Sequence, residues 1–275
     1  MKYKYRSVFV APPGKTFLAC DLSQAESWIV AYKANESKMK ESLNKGLIHD
    51  LTASVLFGYE SVERFMEIKK ENPEIYTTQR YLGKRDNHGL AYRMGYKTQA
   101  ESINKDSDKP PYVTISLAES KRQYELWHSF YSIKDWWNDI DRQLWDTRRL
   151  RTVYGFERTF FGDPRDSATQ REATAFEPQS TVAQHFYGKL QPGNEIPGGL
   201  LEIYRQLVMP FKDILIVNTA HDSLCLEVPE KNYKDIAEQV VKLLRRPIVI
   251  NGDDFIIPVD AEVGTRFGEM RKYKI

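Results

Sequence analysis

Two cysteines, Cys20 and Cys225, are all that this 275-residue sequence contains, and each stands inside an apolar run. That excludes a disulfide framework and a cysteine-based zinc site. Both thiols are expected to be small buried hydrophobes in a reducing compartment. Net charge is equally scarce: 40 Lys+Arg against 38 Asp+Glu leave +2, so total charge does not announce a nucleic-acid binder and any basic surface has to be local. No stretch approaches the roughly 18 consecutive apolar residues of a membrane span, and MKYKYRSVFV lacks the long apolar centre of a signal peptide. The expected location is cytoplasmic, with no membrane contact. Internal repeats and low-complexity tracts are missing too. What is there, 41% hydrophobic and 28% charged residues, is the composition of a globular chain rather than a disordered one. The length allows one large or two modest domains.

Periodicity outlines an α+β protein. Residues 8–21 read as a strand, a turn at APPGK and a second strand, TFLACD. SQAESWIVAYKA follows as a helix, with Ser23 as N-cap and Glu26 three residues on completing a capping box; SLAE at 116–119 is another. Residues 35–150 are helix-rich with aromatic stripes, interrupted by the extended KDSDKPPYVTI. After 151 come strand and turn in TVYGFERTFF, helical pieces in REATAFEPQSTVAQHFYGKL, and a Pro/Gly loop, QPGNEIPGG. A hairpin then carries His221 and Asp222 at its tip, because apolar runs flank NTAHDSLCLEV and the second alternates with period two. The helix YKDIAEQVVKLL and a last strand, IIPVDAEVG, close the chain. A small sheet from both ends thus encloses a helical excursion.

Three constellations stand out. Asp21 ends an apolar strand just before a helix, where a carboxylate projects from a sheet edge; it is equally placed to help start that helix. Arg80, Lys84, His88 and Tyr92 recur every four residues on one helix face, a set that suits a polyphosphate followed by a sugar or base, or simply a solvated face. Gly83, Gly89 and Gly95 in the same stretch weaken a helix and suggest a close approach to the backbone. Asp222 can be an ordinary turn residue, or it can join Asp21 as a pair of carboxylates holding two Mg²⁺ ions about 3.5–4 Å apart for phosphoryl chemistry.

The order of the motifs resembles the family A DNA polymerases, the bacterial DNA polymerase I type that many phages also carry. DLSQAE resembles motif A, GLIHDLTASVLFG the segment with DIHxxTA, and RYLGKRDNHGLAY motif B. REATAFEPQSTVAQ resembles the Q-G-T-containing segment and AHDSL motif C. The likeness runs from residue 6 to about 270. It implies a polymerase palm, a small antiparallel sheet with helices, in residues 1–34 and 150–275. Mostly helical fingers fill 35–149, and the motif B helix lies at about 78–95. Thumb and exonuclease are expected to be absent, supplied if at all by a separate polypeptide.

By the same resemblance Asp21 and Asp222 are catalytic and hold two Mg²⁺ ions, for which Mn²⁺ can substitute, with help from the backbone carbonyl of Leu22. Arg80, Lys84 and His49 contact the triphosphate of the incoming dNTP, while His88 stands on its sugar side. Glu26 excludes a 2′-hydroxyl and Tyr92 judges base-pair shape. Gln179, His221 and Arg171 contact primer–template DNA. The sequence departs from the family pattern at His88, at Arg93 in place of a glycine, at Ser223 in place of an acidic residue, and by about one residue near Gln179. The implied function is template-directed addition of dNMP to a primer 3′-OH. The alternatives are a nonenzymatic nucleic-acid-binding subunit and, against Glu26, an RNA polymerase.

Overall fold

The computed structural model describes residues 5–188 and 198–275; of the expected QPGNEIPGG loop only Gly198 and Gly199 lie among them. Along the chain run β1 (Lys15–Leu22), α1 (Ala25–Lys33), α2 (Ser37–Asn44), α3 (Ile48–Leu56), α4 (Val62–Glu71), α5 (Pro73–Leu90), α6 (Tyr96–Lys105), α7 (Leu117–Phe130) and α8 (Lys134–Thr147). There follow β2 (Arg149–Arg151), β3 (Glu157–Thr159), α9 (Ser167–Tyr187), α10 (Gly199–Ile203), β4 (Leu215–Ala220), β5 (Ser223–Pro229), α11 (Tyr233–Leu244), β6 (Pro247–Ile250), β7 (Asp253–Ile256), β8 (Val259–Gly264) and β9 (Arg271–Tyr273). The α+β expectation is met. Two compact units divide the chain: residues 1–26, 152–156 and 179–275 form one, and 27–151 with 157–178 the other.

The first unit is built on an antiparallel five-stranded sheet in the order β4-β5-β1-β8-β9. Its middle strand explains its two faces. Leu18, Cys20 and Leu22 point one way and are buried, as are Leu224, Leu226 and Val228 on β5 and Val259, Ala261 and Val263 on β8. Helix α11 closes this side with Ile236, Ala237, Val240, Val241 and Leu244, an apolar stripe of helical period. At about 2 kcal/mol for each fully buried aliphatic side chain, its four large residues contribute roughly 8 kcal/mol of gross apolar stabilisation before conformational entropy is set against it. Both cysteines are buried and their thiols are pushed up to about 12, chiefly by desolvation, so they pack as hydrophobes.

The second unit is helical. Helix α5 starts sharply because Asn72 accepts the Ile75 N–H at 3.1 Å and Pro73 follows at the first helical position. A polar network ties α3, α5 and α7 together: Asn87 Oδ1 accepts from Trp127 Nε1 at 2.9 Å and from Thr52 Oγ1 at 3.0 Å, and Thr52 also meets the Tyr131 hydroxyl at 2.8 Å. On another face Lys33 pairs with the buried Glu177 at 2.8 Å, and Trp136 Nε1 donates to the same carboxylate.

Several local expectations change. Residues 8–10 are not a strand: Tyr5–Val8 is a short 3-10 helix and Val10 makes one bridge, to Arg266. The Ser23–Glu26 capping box does not form, because Gln24 takes a left-handed φ of 56° and α1 begins only at Ala25, one residue too late for Ser23 to cap it. The box at Ser116 forms its first half, Ser116 Oγ accepting the Glu119 N–H at 3.1 Å, while the Glu119 carboxylate turns to Arg122 and Gln123. An unforeseen hairpin, β6–β7, turns on Asn251 and Gly252, both at positive φ as a type I′ turn requires.

Candidate active site

Strand alternation places Phe17, Ala19 and Asp21 on the face of β1 opposite α11. Register sets their neighbours. Asp21 lies between Ser223 of β5 and Asp260 of β8, and Ala19 between Cys225 and Glu262. Asp21, Asp260 and Glu262 are exposed, and with Ser223 they line a cavity of about 330 Å³ that also takes Arg6 and Lys272. The β4–β5 turn is two residues long. His221, its first, adopts φ 56°, the left-handed value that a tight hairpin demands at that place and that usually favours glycine. Asp222, its second, is tied to the end of β1: the Leu22 N–H donates to the Asp222 carbonyl oxygen at 3.1 Å.

The two catalytic candidates of the first unit therefore sit at one end of adjacent strands. Ser223 spends its hydroxyl on the Ala220 carbonyl, 2.8 Å away, closing the hairpin. Desolvation pushes the Asp222 carboxyl above the usual carboxylate range, against a smaller downward pull from its own backbone N–H and from His221. Asp21 and Asp260 face each other directly across strands, where like charges are unfavourable unless a cation stands between or beside them. Hard carboxylate oxygens are the donors that Mg²⁺ prefers. Among the described residues no three His, Cys, Asp or Glu side chains converge on one metal position. A cation here has to draw its remaining ligands from water, substrate or backbone. Asp260 escaped the sequence reading because cross-strand register cannot be seen in one strand.

The second unit assembles the cationic set. Gly83 explains how: a Cβ there would lie 2.9 Å from the His49 carbonyl oxygen and 3.0 Å from the Ala53 nitrogen, so α3 and α5 touch backbone to backbone. This contact sets the buried His49 ring 5.7 Å from His88. Because Trp127 can only donate, Asn87 Oδ1 is fixed as the acceptor, and Asn87 Nδ2 donates to His49 Nδ1 at 3.2 Å, leaving the ring proton on Nε2. Desolvation, then His88, Arg80 and Lys84, pull the His49 pKa down to about 3, so the imidazole is neutral. Desolvation also lowers His88, with Lys84 and Arg85 adding to it. At Gly89 the Met94 side chain fills the space a Cβ would take, and nothing lies within 4 Å of the Cβ position of Gly95, so the expected close approach holds at Gly83, against the α3 backbone, and at Gly89, but not at Gly95.

Arg80 and Lys84 line a cavity of about 510 Å³ together with Asp50, Tyr76 and Lys69. Tyr92 does not share the regular helix: α5 ends at Leu90, ahead of the expected 95, and Tyr92 stands in its closing turn. That turn is a Schellman motif, Met94 N–H to Gly89 O at 3.1 Å and Arg93 N–H to Leu90 O at 3.1 Å. Arg93 occupies its left-handed position at φ 62°. Its side chain explains how an arginine is held there. The guanidinium donates to Asp141 at 2.9 Å and to the Trp137 carbonyl at 2.8 Å, and it lies 5.1 Å from the Trp137 ring centre. Glu26 stands in the first turn of α1, Gln179 and Arg171 are exposed on α9, and His221 is exposed at the hairpin tip.

The profile of DNA polymerase family A matches residues 1–269. The chain belongs to DNA polymerase family A. Among curated family A relatives, DNA polymerase I of Aquifex aeolicus is 27% identical over 267 residues, covering 96% of this chain and 40% of that protein. DNA polymerase I of Chloroflexus aurantiacus is 26% identical over 274 residues, covering 96% and 25%. The chain thus spans well under half the length of these family A relatives. A solved structure, the POL domain of Pol1 from M. smegmatis in complex with DNA primer-template and dNTP, superposes with a TM-score of 0.70 at 20% identity, over 97% of this chain and 43% of that one. At that identity the likeness concerns the fold, which is the polymerase-domain fold of family A. No helix among the described residues is long and apolar enough to cross a membrane.

Proposed function

We propose that this chain is the catalytic portion of a template-directed DNA polymerase, adding dNMP to a primer 3′-OH and releasing pyrophosphate. The observation that carries the reading is the β1–β5 register with its Leu22–Asp222 backbone bond, which supports two carboxylate residues at one end of adjacent inner strands in a family of polymerases. The M. smegmatis neighbour is bound to primer-template and dNTP, and by likeness we assign those ligands here. In this assignment the sheet unit is the palm and the helical unit the fingers.

Two divalent ions, Mg²⁺ or Mn²⁺, when bound would neutralise charge for in-line displacement at phosphorus. Asp21 and Asp222 would hold them, with the Leu22 carbonyl as a further oxygen donor. Arg80 and Lys84 bind the triphosphate as cations, and His49 as a neutral Nε2–H donor, because its imidazole stays unprotonated. His88 flanks the sugar, Glu26 rejects a 2′-hydroxyl beneath it, and Tyr92 packs at the templating position. Gln179, His221 and Arg171 contact the primer–template. Asp21→Asn or Asp222→Asn is expected to abolish primer extension while leaving DNA binding and the fold, since charge stabilisation and not packing is lost. Near-normal extension by either variant would overturn the metal assignment. An inert wild-type chain that still binds DNA would favour a nonenzymatic role.

On this reading a thumb, whichever polypeptide carries it, packs near residues 5–12 and 150–165. Its support is apolar exposure in both places: Tyr5 81%, Val8 71%, Phe9 63% and Phe161 92%. With a net charge of +2 and few phosphates neutralised, the chain alone should extend distributively and lose activity steeply with salt. Processive extension by the isolated chain at moderate salt would remove the need for a thumb beyond these residues.

A further inference from the structure

One carboxylate beside the cationic face of α5 has no part in the reading above. Asp50, the residue after His49 on α3, is buried, with 4% of its side chain exposed. It is nevertheless well compensated, as a buried charge has to be. The Tyr76 hydroxyl donates to Oδ1 at 2.5 Å, and Arg80 Nε donates to Oδ1 at 3.2 Å and to Oδ2 at 3.1 Å. Tyr76 is itself held by stacking on the buried Phe65, ring centres 5.1 Å apart. Desolvation, then the bond to Asp50, pushes its phenol up to about 12, so it remains a donor.

The consequence lies in how Arg80 is used. A guanidinium carries its N–H donors in one rigid plane. Asp50 takes Nε, the Tyr76 oxygen also lies within hydrogen-bonding reach of the guanidinium, and the Arg80 side chain is 35% exposed. We propose that Asp50 is the positioning residue for Arg80: it fixes the plane of the guanidinium from behind, so that the two remaining nitrogens form a ready fork for phosphate oxygens at the cavity shared with Lys84. The proposal rests on the reading that this α5 face binds a triphosphate. Two opposed effects meet at Asp50. Its charge repels a phosphate, and its grip removes the rotamer freedom that Arg80 would otherwise lose on binding. Burial behind the guanidinium places the carboxylate farther from a bound phosphate than Arg80 itself, so ordering wins.

The test is calorimetric titration of the full chain with Mg²⁺–dATP and, separately, with inorganic tripolyphosphate. Asp50→Asn should weaken both by about tenfold, the loss of roughly one charge-assisted hydrogen bond. Tyr76→Phe, which keeps the carboxylate, should shift both in the same direction by about threefold. The Asp50→Asn/Arg80→Ala double variant should bind no worse than Arg80→Ala, because Asp50 acts only through Arg80. A merely structural aspartate would add its loss to that of Arg80. In primer extension the Asp50 variant should raise the dNTP KM more than it lowers kcat. Unchanged or tighter binding by Asp50→Asn, or additive losses, overturns the proposal while leaving Arg80-dependent binding intact. If Asp50→Asn fails to fold, the Tyr76→Phe and Arg80→Ala cycle decides by the same additivity criterion. Triphosphate binding that is absent, or indifferent to Arg80→Ala, overturns both this proposal and the reading beneath it.

Discussion

Gly83→Ala isolates the contact that builds the cationic face. The new Cβ would meet the His49 carbonyl oxygen at 2.9 Å, the Ala53 nitrogen at 3.0 Å and the Ala53 Cα at 3.3 Å. All three are backbone atoms, so no rotamer change relieves the clash; comfortable contacts begin near 3.5 Å, and the helices must part by about 0.5 Å. Overpacking of this kind costs about 1–3 kcal/mol. Alanine returns about 1 kcal/mol of helix propensity. The expected net loss is about 0–2 kcal/mol, read as a lower urea midpoint by far-ultraviolet circular dichroism at 25 °C. Because α3 carries His49 and Asp50, the same shift should raise the dNTP KM. Gly95→Ala is the control: at φ −79° with nothing within 4 Å of the Cβ position, the lost N-cap preference and the stiffer unfolded chain offset to within about 0.5 kcal/mol. A Gly83→Ala chain as stable as wild type, with unaltered KM, would refute the backbone-contact argument.

Asp86, fully buried on α5, shares a hydrogen bond with Gln99 while Asp86 Oδ2 and Gln99 Oε1 lack partners, an arrangement that a carboxyl proton suits. Desolvation raises its pKa from 3.8 to about 8. The folded state then binds the extra proton, so stability falls as pH rises through that window. Between pH 7 and 8.5, above the histidine range, urea midpoints should drop, and Asp86→Asn should flatten the slope; a wild-type midpoint that rises there would contradict the assignment. Glu26→Ala should increase ribonucleotide incorporation with little loss of stability, since Glu26 closes no capping box with Ser23. An unchanged rNTP-to-dNTP ratio would remove its proposed steric role.

Local chemistry was legible wherever one segment decides it. The α11 stripe, the alternation of β5, the Ser116 cap and the hairpin presenting His221 and Asp222 all follow from periods and turn residues within a few positions. The same periods showed the α+β class; the motif order was legible as well, because it is itself a property of the linear chain, and with it came the family. The capping box at Ser23 was misread for a physical reason: the left-handed Gln24 breaks the helix start, and no neighbouring residue announces it. Arg93 was visible as a departure, but its anchors Asp141 and Trp137 lie on a different helix.

The order of residues along the chain thus specifies which side chains can do chemistry and on what kind of element each stands. Which of them meet follows from packing and register alone. Asp260 faces Asp21 through the register of β8, Asp50 takes Arg80 through the packing of α3 on α5, and Gly83 permits that packing by having no side chain. Such meetings depend on pairings between segments far apart in the chain, and a single sequence carries no local signal for them because each partner satisfies its own helix or strand equally well without the other.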